Sequence, residues 1–350
     1  CSGLMIISCL NSILNLSNIT NQTALNIFLS LGNWLPMFIL FFSSQIYLKT
    51  YEKRKVFSKF VIAGTVPLIF SCALQYIFKI YGPFETLNGL IVWYQEPLGI
   101  NSGVTGLFSN QNYTGFWLSS LMVFSIYEMR NGIINSKNKI VTLLITASLA
   151  YFSILTNSRN AVLGLLISIF SSLKRKYLLL LPIGISIVFA LKKLILNNLY
   201  SFYYIFDNSL LSKLFTLDIA NYSDYTRLQI YSFTLKSIFE KPIFGWGPST
   251  FSTIDKSNSI SNFQHSHNII LELAFSFGIP LTIFMGFFLL KLIKNTFIKT
   301  FKNRRNSDAY LINKTWYYAV IIVVVSQISD ITYYDGKISI LIWILLAGIK

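Results

Sequence analysis

The sequence predicts an all-α, polytopic transmembrane bundle of about ten spans with one large extracytoplasmic loop. Three observations predict it. The 350-residue chain is 53% hydrophobic and only 12% charged, about half the charge of a typical soluble domain, and its mean hydropathy is +0.57. Apolar stretches of spanning or near-spanning length recur along its whole length. The loops between them alternate between basic and non-basic.

The apolar stretches fall at about 3–14, 26–48, 60–79, 113–129, 140–156, 161–173, 177–191, 269–290, 315–331 and 338–349. The first residue is Cys rather than Met, which reads as an N-terminally truncated fragment. With the N-terminus inside, the inner segments are 49–59, 130–139, 174–176, 291–314 and Lys350. They hold five, three, three, seven and one of the 29 lysines and arginines. This is the positive-inside pattern, and it makes residues 1–350 one integral-membrane domain. The net charge of +16 would suggest nucleic acid in a soluble chain. Here inner loops account for much of it, and no nucleic-acid partner is expected. Cys1, Cys9 and Cys72 lie in apolar surroundings without metal-ligand spacing and read as buried apolar residues.

Four segments then face outward. Residues 15–25 form a polar turn, 81–112 a Gly- and Asn-rich loop ending GLFSNQN, and 157–160 a tight Asn-Ser-Arg-Asn turn. The fourth, 192–268, is long enough to be functional or a folded insert. Its aromatic run 200–206 reads as an interfacial belt or a helix lying on the membrane, with a platform for sugar rings or lipid as the alternative. Residues 224–240 read as a helix capped by Ser223, with Asp224 in its first turn and Tyr231, Leu235, Ile238 and Phe239 on one face. Pro242 and Gly245-Trp-Gly-Pro248 end it in a turn.

The ionisable groups divide by depth. Glu128, Lys79 and Asp330 fall at span ends, and Glu272 sits about one turn inside its span. An ion-coupled transporter needs such groups near the midplane, so their scarcity argues against one. On the outer side, Arg159 sits in the tight turn. It is either an interfacial anchor or a guanidinium held for a lipid-linked phosphate. Arg227 lies near the start of the 224–240 helix, where free N–H groups and a planar fork favour an anion; a solvated surface arginine would look the same. His265 and His267, the only histidines in the chain, precede the 269–290 span. No cysteine or closely spaced carboxylate completes a metal set, so no metal is assigned. A neutral imidazole there can act as a general base. Gly278 and Pro280 interrupt the span, either to kink it or for plain packing.

The stretch from Arg227 through Pro242-Ile-Phe-Gly-Trp-Gly247 to His267-Asn268, nine residues and Gly278 resembles the O-antigen ligase and O-antigen polymerase superfamily of bacterial membrane proteins. The Ser-Arg159 turn is similar to that family's short outer turn, and GLFSNQNYTGFWL, with Asn112, to its Asn-containing loop. Leu281 stands where the ligase form often has a small residue or Tyr. The resemblance implies a glycosyltransferase without metal or cofactor, in the bacterial cytoplasmic membrane, with its active site in the extracytoplasmic loop 192–268. It would move a glycan from undecaprenyl diphosphate to a sugar hydroxyl on another glycan, on lipid A-core or on a protein, in surface polysaccharide synthesis. Arg159 and Arg227 would hold the diphosphate and His267 would activate the acceptor. His265, Asn268, Asn112 and Gly278 would support them. The alternative is a transporter or flippase of lipid-linked glycans.

Overall fold

A computed structural model describes residues 1–15, 21–99, 102–131, 136–173, 222–257, 263–302 and 308–349. The expected span 177–191, the basic cluster 174–176 and the aromatic run 200–206 lie outside the described residues, as do the side chains of Ser223 and Asp224. The described chain is mostly helical and forms two units, one of Cys1–Arg54 with Ile219–Lys350 and one of Lys55–Asp218.

In the first unit, α1 (Ser2–Asn15) and α2 (Asn21–Leu29) lead through a 3-10 turn (Ser30–Asn33) into α3 (Leu35–Tyr47). Pro36 sits in the first turn of α3, where its missing N–H costs nothing. The later elements are α9 (Tyr222–Glu240), α10 (Phe251–Ser257), α11 (Ile269–Phe277), α12 (Ile279–Lys302), α13 (Asp308–Ser329) and α14 (Gly336–Gly348). Trp34 stacks on Tyr333 with ring centroids 4.3 Å apart, and Tyr333 donates its hydroxyl to the Asn33 carbonyl at 2.7 Å. The entry to α3 is thereby pinned to the loop between α13 and α14.

The second unit contains most of α4 (Tyr51–Gly64), α5 (Val66–Ile77), α6 (Gln111–Asn131), α7 (Ser136–Leu155) and α8 (Arg159–Ser172). Between α5 and α6 a short antiparallel hairpin pairs β1 (Phe84–Thr86) with β2 (Ile91–Trp93), Phe84 opposite Trp93. The sequence gives no hint of it. Helix α6 packs on α7 and α8 through small polar residues. Ser125 and Thr146 share a hydrogen bond at 2.6 Å, and Ser168 donates to the Ser119 carbonyl at 3.3 Å. Small side chains let apolar helices approach closely.

Among the described residues, Asn21–Tyr47, Tyr51–Ile77, Ile279–Lys302 and Asp308–Ser329 are long and apolar enough to cross a membrane. Other expected spans appear as shorter apolar helices, among them α1, α8 and α14. Two expected loops are largely helical. Residues 49–59 enter α4, and 291–314 contain the end of α12 and the start of α13. Lysine and arginine are good helix formers whose stems lie along apolar surface, so they prolong a span rather than ending it. The expected continuous span 269–290 is broken at Gly278.

Candidate active site

The break at Gly278 explains why two separate sequence motifs belong together. The last carbonyls of α11 have no partner within the helix. The Pro242–Gly247 turn supplies one: Trp246 N–H donates to Phe275 O at 2.8 Å and Gly247 N–H to Ser276 O at 3.0 Å. In return, Ile279 N–H donates to Pro242 O at 2.8 Å. Gly278 has φ +88°, and a Cβ there would stand 2.1 Å from the Ile243 carbonyl oxygen. Only glycine fits. This favours packing over an open cavity as the reason for the break, and it places Gly278 as a structural joint.

The same joint seats α9. Ile230, Phe233 and Ile238 of α9 share a core with Phe251, Ala274 and Phe275, against which Trp246, Phe263 and Leu271 also pack. Helix α9 begins two residues before the expected start and already includes Ser223, so Ser223 is not its N-cap. Arg227 therefore lies in the second turn, half-buried, beyond the free N–H groups of the first.

At the other end of α11, Asn268 is the N-cap. Its side-chain oxygen accepts from Ile270 N–H at 2.9 Å and Leu271 N–H at 3.3 Å, and its amide donates to Ile328 O at 2.8 Å. One residue thus caps α11 and ties it to the end of α13. His267, immediately before it, has φ +55°, a conformation uncommon outside glycine and held here by its neighbours. Ser266 N–H donates to Glu272 Oε2 at 2.9 Å, and Ser266 Oγ donates to Asn268 O at 3.0 Å.

This geometry delivers His267 to a carboxylate. Its Nδ1 lies 2.9 Å from Asp330 Oδ1, and Asp330 is 6% exposed. An ionised carboxylate can only accept, so Nδ1 carries the hydrogen, and in the neutral ring Nε2 presents a lone pair. Burial works to raise the Asp330 carboxyl, but the His267 hydrogen bond, followed by the charges of His267, Arg227 and His265, outweighs it and holds the group below its ordinary value. Asp330 Oδ1 also accepts Ile331 N–H at 3.0 Å, and Gln327 braces the following loop by accepting from Thr332 and Tyr333 N–H at 3.1 and 3.2 Å. A second crossing runs beside the first: Tyr334 donates its hydroxyl to Glu272 Oε1 at 3.3 Å.

His265 is a structural partner. Its Nδ1 accepts His267 N–H at 3.3 Å, and the two rings meet edge-on with centroids 4.4 Å apart. Burial first, then the neighbouring His267, pushes its pKa down to about 4. It is neutral at physiological pH.

The fold therefore brings together Arg227, His265, His267 and Asn268, with Gly278 anchoring their scaffold. Arg227 acts on Asp330 through its charge. Arg159 and Asn112 belong to the second unit. Arg159 is the first residue of α8 rather than part of the turn, which contracts to the residues before it. Asn112 lies in the first turn of α6, its N–H donating to Asn110 Oδ1 at 2.7 Å. Sequence reasoning noted Asp330 and Glu272 only as charges near span ends. The usable signal was scarcity: the chain has 13 acidic residues, and two of them, Asp330 and Asp335, fall in one short loop after a span.

Among the described residues, no three His, Cys, Asp or Glu side chains form a group able to hold a metal ion. A family model described as "O-Antigen ligase" matches residues 143–286. That range contains Arg159, Arg227, the Pro242–Gly247 turn, both histidines and Gly278, and ends before Asp330. A search of the curated proteins finds no match. The family match supports an O-antigen ligase-type role in surface polysaccharide synthesis within a membrane.

Proposed function

We propose, for a chain whose residues 143–286 match the O-antigen ligase family model, that it transfers a glycan from a polyprenyl diphosphate to a sugar hydroxyl at the extracytoplasmic face of the bacterial cytoplasmic membrane. The observation that carries this reading is the His267–Asp330 pair at 2.9 Å, with the charge of Arg227 acting on the same carboxylate.

A sugar hydroxyl is a poor nucleophile. A positioned imidazole takes its proton as the new glycosidic bond forms, a contribution of roughly 10²–10⁴-fold. In this reading Nε2 of His267 is the base and Asp330 is a positioning residue. Asp330 fixes the tautomer and stabilises the imidazolium that forms. As the anomeric C–O bond breaks, the electron pair leaves on the diphosphate. Arg227 meets that charge with planar donors. The scheme uses no metal, and the charge of the leaving group falls to the guanidinium.

The test is transfer by purified protein reconstituted with a lipid-linked oligosaccharide and separately offered acceptors. Ladders on the lipid carrier indicate polymerisation. Label on lipid A-core or on protein indicates ligation to that acceptor. No transfer to any acceptor, with lipid-linked glycan crossing the liposome instead, replaces this reading with the flippase one.

A further inference from the structure

In the second unit, Glu96, Ser102, Asn110, Gln111 and Asn112 line a cavity of about 330 Å³. Its size is at the lower end of the roughly 300–1,000 Å³ usual for small-ligand sites. Those five residues are all polar, which is unusual in a chain this apolar.

The cup stands on a preformed base. Gln75 and Gln95 are buried, at 0% and 2% exposure. Gln75 donates to Glu96 O at 3.0 Å and accepts from Thr105 and Gly106 N–H at 2.9 and 3.0 Å. Gln95 donates to Gly106 O at 2.8 Å. These two amides satisfy backbone groups of Glu96, Thr105 and Gly106 from beneath, so these parts of the rim are set before a ligand arrives. Gln111 accepts the Gly103 N–H, and Asn110 accepts from Asn112. Both bonds engage the amide oxygens and leave the NH₂ ends of Asn110 and Gln111 as donors.

The base also rests on the turn that leads to Arg159. Val104 N–H donates to Leu155 O at 3.0 Å. A Cβ on Gly103 would lie 2.1 Å from the Thr156 carbonyl oxygen, so this contact requires a glycine. Thr156 is three residues before Arg159.

We infer that this cup binds a neutral sugar unit of the lipid-linked glycan, beside the turn that presents Arg159. Amide donors with a carboxylate suit a ring whose every hydroxyl both donates and accepts. Among the described lining residues there is no cation, and the Glu96 carboxylate disfavours phosphate or an acidic sugar. The choice of ligand rests on the glycan-transfer reading; the site itself does not.

The experiment is saturation-transfer NMR on the full chain in nanodiscs, with the methyl glycosides of glucose, galactose and N-acetylglucosamine as probes and inorganic pyrophosphate, which has no proton to observe, added as a competitor. At least one glycoside is expected to receive saturation. Glu96→Gln combined with Asn110→Ala should weaken it by roughly tenfold to a hundredfold. Gln111→Ala should weaken it separately, with the thermal unfolding midpoint of each variant checked against wild type. The readout is binding rather than transfer, so a failure of the transfer chemistry does not register in this assay. No saturation of any glycoside, equal saturation in the variants, or loss of the glycoside signal on adding pyrophosphate would overturn the inference.

Discussion

Around His267, two helices about sixty residues apart in sequence are joined by side chains that ionise. Around Asn110, a loop is joined to its helix chiefly by side chains that do not. The first arrangement crosses from α11 to the end of α13 through His267–Asp330 and Glu272–Tyr334. The second rises from α5 through Gln75 and Gln95 into backbone amides. Charged contacts tune the affinity of a nitrogen for a proton, and they tie the geometry to pH. Amide contacts hold a shape and are indifferent to pH. A molecule that must both move a proton and recognise hydroxyl groups has reason to use each kind in a different place.

The largest effect should come from the charged side of this comparison. His267→Ala should lower glycan transfer by roughly 10²–10⁴-fold in properly inserted protein, measured as initial rate on the lipid-linked donor. Asp330→Asn should also lower the rate constant, with the Michaelis constant for the donor little changed. It keeps the shape and removes the charge that orients and supports the imidazole. Full activity in Asp330→Asn would make the pair a structural tie, and the contrast between the two regions would then be one of packing alone.

Next in size is the joint beneath the histidines. Gly278→Ala places a methyl group against the Ile243 carbonyl in a backbone conformation of φ +88°. The strain is on the order of 1–3 kcal/mol, read as a lower unfolding midpoint in detergent. Gly286, on α12, has open space around it, so Gly286→Ala should be neutral or stabilising by about 0.5–1 kcal/mol. Equal destabilisation by the two would remove the joint from the argument.

What could be read in advance follows from how each contact is encoded. The α9 helix, the Pro242–Gly247 turn and Gly278 were legible because local rules mark them: periodicity, proline and glycine each constrain their own backbone. The likeness in motif spacing is the trace of a physical contact, since the turn and the end of α11 complete each other's hydrogen bonds. Asp330 was not legible as a partner of His267. Nothing local specifies a pairing across sixty residues; it depends on Asn268 binding Ile328 and on Gln327 shaping the loop. The hairpin at 84–93 was missed for a related reason: three-residue strands are too short to show an alternation. The long helices α12 and α13 were underestimated because a basic helix end resembles a basic loop in composition.

The smallest expected effect is on acid stability, and it tests the comparison itself. His265 is pushed down from its ordinary 6.5 to about 4, so the unfolded chain takes up the proton first. Stability should therefore fall as pH drops through that interval and be fully reduced only near its lower end. Asp330 runs on a different range. Its carboxyl is held below the ordinary 3.8, so its contribution is kept above that value and lost beneath it. Between pH 6.5 and 4 His265 contributes a loss, and His265→Asn should flatten the curve there while leaving the decline at lower pH. Hydrogen exchange locates the effect. Over that interval amide protection at 268–277 should weaken in wild type and hold in His265→Asn, while protection at 111–131, braced by amides, should hold in both. Parallel losses in both segments would mean that acid acts on the whole chain, and that the division between an ionising site and an amide site has no consequence for stability.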